Sequence, residues 1–204
     1  FTMVGGVFTS SQGTYLSGNV TITGGTFTHE GTVWFLGGSA EINAPIASFY
    51  SVIFQNTAGN IKTLKSNLTI TNSLQVSSGG SLLSDGVAHT ITLDSATFNM
   101  SNATTVFGDE YITIEFTGSG ALYSTVTNNA GTFAAHLTSS VTGGGYVYLS
   151  GSAAVFTMQP GRTLLINSGA GFYLNGENLT ITGVTLVNNG VVRLWGSETI
   201  TGLD

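Results

Sequence analysis

Six copies of a short alternating phrase, T-I-T or a near variant, place isoleucine at Ile22, Ile70, Ile91, Ile114, Ile181 and Ile200. The intervals are 48, 21, 23, 67 and 19 residues, close to two, one, one, three and one multiples of about 22. A second phrase keeps the same beat: "GTVWFLGGSAE" from Gly31, "GYVYLSGSAA" from Gly145 and "GVVRLWGSET" from Gly190 stand 114 and 45 residues apart. A dozen residues from Gly13, "GTYLSGNVTITG", return 158 positions later as "GFYLNGENLTITG" from Gly171. Each segment alternates apolar and polar residues over four to six positions and is closed by Gly, Asn or Ser, the pattern of strands joined by tight turns. A repeat in the low twenties with no helical period in it is one turn of a β-solenoid.

The spacing therefore predicts an all-β, right-handed parallel β-helix of about nine coils over residues 1–204, a single domain that is either an excerpt of a longer repeat protein or a subunit that stacks on its own copies. At about 4.8 Å per coil such a rod is roughly 40 to 45 Å long. The alternative is a pilin-like β-sandwich completed by a donated strand, since that fold is also Thr-rich and weakly charged. In the solenoid, inward Ile, Val, Leu and Phe stack on their counterparts above and below, while Thr and Ser take the outward phase. Glycine and asparagine at the corners supply backbone with φ above zero. Each buried aliphatic side chain stabilises by about 1.5 to 3 kcal/mol, so a coil holds only because its neighbours cover it. The sequences "FTMVGGVFTS" and "SETITGLD" both read as further coil, so the segment is expected either to continue into more chain or to stack on copies of itself.

Composition narrows the function. Only 7% of residues are charged, 29 are glycine, and the net charge is −6. Lys62, Lys65, Arg162 and Arg193 are scattered, which argues against nucleic acid as a partner. No apolar run is long enough for a membrane span, and the opening residues lack the form of a signal peptide, so a leader would already be gone. With no cysteine, stability rests on burial and backbone pairing. Low charge with abundant Ser, Thr, Asn and Gly favours an extracellular or cell-surface location.

The phrases "NLTITG" and "NGVVRLWG", with "GGTF" and "NNAGTF", resemble the large repetitive surface proteins of prokaryotes that fold as parallel β-helices, haemagglutinin-type adhesin passengers among them. The resemblance implies an elongated rod used in adhesion, in a sheath or in a filament, and carries over no catalytic residue.

Residues able to act chemically are few. Asp109 and Glu110 are adjacent and on a strand would face opposite ways, so they read as corner residues rather than an acid and base. Asp109 with Glu115 offers oxygens to calcium, but the glycine–aspartate repeat of calcium-binding β-rolls is missing. His29, His89 and His136 are 60 and 47 residues apart, off the period, and are expected at separate outward positions rather than on one metal. No cofactor, metal or catalytic residue is expected. Sequons at Asn19, Asn67, Asn99, Asn102 and Asn178 match chance in number. Asn19, Asn67 and Asn178 are candidate glycosylation sites, with Asn67 and Asn178 expected at matching corners. Trp34, Tyr146, Tyr148, Tyr173 and Trp195 occupy related repeat positions, where they either stack on sugar rings or a neighbouring rod, or pack inward. The sequence thus points to a non-enzymatic structural subunit of an extracellular or cell-surface filament, sheath or fibre, a homo-oligomer or polymer. The alternative is a carbohydrate-binding adhesin or phage-type fibre segment. A T-x-T face matching ice is a third and weaker reading, because the intervals drift.

Overall fold

A computed structural model describes residues 1–77, 79–100, 105–119, 123–128, 131–150 and 155–203. Among the described residues every element is a strand and every strand pair is parallel, so the chain winds as a β-solenoid of about 8 turns. The two-sheet sandwich is excluded by that pairing.

Each turn has three faces. The first is formed by Ala40–Asn43, Ile61–Leu64, Ser81–Ser84 and Val106–Phe107, and near the C-terminal end by Val155–Thr157 and Asn178–Thr180. The second carries His89–Asp94, Ile112–Thr117, His136–Ser139, Thr163–Ile166 and Thr185–Asn188. The third climbs from Thr14–Ser17 through Thr97–Met100, Tyr123–Asn128, Tyr146–Ser150 and Gly171–Tyr173 to Val191–Arg193. Near the N-terminal end the corners are taken by continuous strand: Val20–Gly37 runs through all three faces. Nine rungs of the third face enclose eight steps, which is why the stack has about 8 turns where the spacing predicts about nine coils. Eight steps at about 4.8 Å make a rod of roughly 38 Å.

The interior consists of ladders. On the third face Val33, Val52, Leu74, Phe98, Val126 and Leu149 lie one above another and are all inaccessible to solvent. On the second, Leu68, Ile91, Ile114, Leu137 and Leu164 do the same. On the first, Leu82, Phe107, Phe133 and Met158 continue the column, with the rings of Phe107 and Phe133 stacked at 5.8 Å.

The repeat itself needs refinement. Ile22, Ile70, Ile91, Ile114 and Ile181 are all buried, as an inward ladder demands. They do not share one column, however. Ile22 pairs with Met3 on the first face, whereas Ile70 and Ile91 sit on the second and pair with Leu93 and Leu68. The reason is coil length: Thr14 lies beside Val33, 19 residues on, while Phe98 lies beside Val126, 28 residues on. Corners absorb the difference, so a strand phrase drifts from face to face while its alternation still keeps isoleucine inside.

Candidate functional site

The side chains able to do chemistry lie mostly at corners and in outward ladders, and most are engaged with the next coil. Asp109 Oδ2 accepts hydrogen bonds from the N–H and the hydroxyl of Ser84, both at 2.7 Å, and its Oδ1 accepts the N–H of Tyr111 at 3.0 Å. Its neighbour Glu110 is exposed, so the two are a corner bracket and a solvated carboxylate. Glu115 Oε1 accepts the hydroxyl of Ser140 at 2.7 Å, and Asn167 Nδ2 donates to that hydroxyl at 2.9 Å. Three successive coils are joined in this way.

The histidines fall in three separate places. His136 Nε2 donates to Glu110 O at 3.0 Å and its Nδ1 accepts the N–H of Thr163 at 2.9 Å, so one ring bridges three coils. His89 contacts Asp85 at 2.9 Å on the surface; that hydrogen bond is the main cause that holds the Asp85 carboxyl below its ordinary value. Lys65 lies 3.4 Å from Glu41 and 3.7 Å from Asp85, exposed pairs of little energetic weight. His29 departs from the outward position expected of it. It stands in an inward ladder with Phe49 and Ile70, is buried, lies parallel to Phe27 at 6.1 Å, and is held by a 2.9 Å hydrogen bond between Nε2 and Thr14 Oγ1. The flat ring fills an aromatic column, which an aliphatic reading of the phase would miss.

Lys62 is the residue sequence reading overlooked. It is buried in the inward ladder between Ala40 and Leu82, and its ammonium donates to the carbonyls of Leu36 and Gly38 at the corner before the first face. Burial pushes it below its ordinary value. The alternation of "NIKTL" already puts Lys62 in phase with Leu64, and this was the available signal.

Corner asparagines share one task. Asn19 Oδ1 accepts the N–H of Glu41 at 2.9 Å, Asn67 Oδ1 that of Thr90 at 2.8 Å, and Asn178 Oδ1 that of Thr199 at 2.8 Å. Each of these three asparagines thus pins the coil that follows. Asn19 and Asn178 sit at the corner between third and first faces, Asn67 at the corner between first and second, so the matching pair is Asn19 with Asn178 rather than Asn67 with Asn178. Asn99 lies within Thr97–Met100 of the third face, and Asn102 falls outside the described residues.

This accounts for the twice-written dozen. Gly13 and Gly171 leave room for a ring of the adjacent coil: a methyl at Gly13 would strike Trp34, and one at Gly171 would strike Tyr146. Gly18 and Gly176 turn the corner with φ of 72° and 87°. Then come the pinning asparagine and two buried aliphatics, Val20 and Ile22 in one copy and Leu179 and Ile181 in the other.

The aromatic residues gather on the outer side of the third face, at its two ends. Near the start, Tyr15 and Trp34 stack at 4.6 Å and 18°. Near the end, Tyr148 stacks on Tyr173 at 4.9 Å, Tyr146 meets Tyr173 edge-on at 4.3 Å, and the Arg193 guanidinium lies 4.7 Å from the Tyr173 ring. These neighbours leave Tyr173 only 3% exposed, although it points outward between the buried Phe172 and Leu174. Trp195, by contrast, is 76% exposed. Its corner is held by Glu198, whose carboxylate accepts the N–H groups of Gly176, Trp195 and Gly196 and is thereby lowered to about 2.

Fold and site together define a parallel β-solenoid whose polar side chains largely serve its own stacking. Comparison with protein families, with curated proteins and with solved structures returns no match.

Proposed function

We propose that the chain is a non-enzymatic structural module of an extracellular or cell-surface assembly, in the style of the repetitive prokaryotic surface proteins that its phrases resemble. The observation that carries this reading is the use of Asp109, Glu115, Glu198, His136 and the sequon asparagines to tie coil to coil, where a catalytic protein would aim such groups at a shared cleft. The end rungs add support. Val4 and Val7 are exposed at one end, and Val191 and Leu194 at the other, on strand edges that another rung of like register would cover. A second copy of the chain would supply such a rung. The low charge suits a surface crowded with neighbours rather than a freely diffusing protein.

Electron microscopy of the purified protein at micromolar concentration tests this. Filaments, rings or sheets with the solenoid axis running through them are expected. Discrete short rods, together with turnover of a polysaccharide that is lost in Asp109→Ala, would overturn it.

A further inference from the structure

The outer side of the third face carries a feature that coil stacking does not require. Two grooves, of about 340 and 390 Å³, share Asn175: one is lined by Thr125, Tyr148, Ser150 and Asn175, the other by Asn175, Trp195, Ser197 and Glu198 with two glycines. They lie on either side of Asn175, and together they are treated as one trough along the rod axis. Thr125 pairs with Tyr148, Tyr148 with Tyr173 and Tyr173 with Arg193, so the trough crosses three steps, about 14 Å at the interstrand spacing.

We propose that this trough binds a neutral oligosaccharide lying along the rod. Its chemistry is that of a pyranose chain: flat apolar rings for the C–H faces of sugars, with amide and hydroxyl groups beside them for the sugar hydroxyls. Trp195 stands open to solvent, yet its backbone is fixed by Glu198, so little order is lost when a ring stacks on it. Asn175 adopts the left-handed conformation with φ of 51°, which asparagine tolerates at a corner. Its Nδ2 donates to Leu149 O at 3.3 Å, which anchors the carboxamide between the two grooves. The charge pattern selects against acidic glycans. Arg193 is tucked over Tyr173 and Tyr146, the Glu198 carboxylate stays ionised, and the chain as a whole carries −6.

The chain has two tryptophans, so Trp34→Phe leaves Trp195 as the sole indole reporter. Titration with cellohexaose, xylohexaose and the hexamer of N-acetylglucosamine is expected to shift Trp195 emission with at least one of them. Calorimetry on the unsubstituted protein should give the same affinity. Trp195→Ala should weaken binding at least about tenfold with an unchanged thermal midpoint, and Asn175→Gly, which keeps the backbone conformation, should weaken it also. No response to any of the three sugars at millimolar concentration would overturn the proposal, as would affinity untouched by Trp195→Ala. Tighter binding of a galacturonate hexamer would overturn it too. The titrations are run below the concentration at which polymers form, because a rung stacked on Val191 and Leu194 would lie beside Trp195.

Discussion

At the scale of single residues the protein joins its layers with side chains that look like chemistry. Lys62 shows how much hangs on one of them. Its ammonium is buried and its pKa is lowered by burial from the ordinary 10.5, so between the folded value and 10.5 the unfolded chain binds more protons than the native one. Stability attributable to this group therefore rises with pH through that window. Thermal unfolding of the native protein should gain midpoint from neutral pH towards pH 10 relative to Lys62→Met. At neutral pH that variant trades a desolvated charge for two bare carbonyls at Leu36 and Gly38, each costing about 1 to 3 kcal/mol, and a net loss is expected. A parallel pH response in the two proteins would contradict this account. Strand phase alone made Lys62 readable as inward, since it alternates with Leu64. Its partners were not readable, because Leu36 and Gly38 precede it by a full turn and only coil length brings them under it. His29 alternates with Phe27 two residues before it, so its inward phase was readable in the same way; its partner Thr14, on the preceding layer, was not.

For strands and corners, alternation decides burial and corner length decides register. The inward character of nearly every T-I-T isoleucine was legible from period two, and the parallel stacking from the period near 22. The column that each strand would join was not legible, because corners vary while strands do not, and the three faces cannot be told apart by composition. A direct consequence can be measured. Inserting one glycine after Gly86, in the exposed corner 85–88, should cost less than about 1 kcal/mol. The same insertion between Thr90 and Ile91 turns Ile91 and Leu93 from the core to solvent and should cost several kcal/mol or abolish folding, at about 1.5 to 3 kcal/mol for each side chain lost from the interior. Circular dichroism and chemical denaturation separate the cases, and equal tolerance at the two sites would contradict the stacked-ladder account. The aromatic trough belongs to this scale as well: tyrosines and tryptophans at related repeat positions were visible in the sequence, but not that Tyr173 would be roofed by Arg193 while Trp195 stayed open.

For the whole molecule, contacts run almost entirely between a rung and its two neighbours, so stability is local along the axis. Amide exchange should be slowest in the central ladder of Ile91, Ile114 and Leu137, and should quicken towards Val4 and Val191, whose rungs are covered on one side only. Uniform protection from end to end would show instead that the rod opens as a single unit. The orientation of the pairing has a further, mechanical meaning. Every hydrogen bond between rungs points along the rod, so a pull on its two ends loads them a few at a time, as in unzipping. Turns should then peel off one after another from whichever tip is weaker, each freeing 19 to 28 residues, or about 65 to 95 Å of slack. A tether built this way lengthens under tension in small instalments and rewinds when the load is removed.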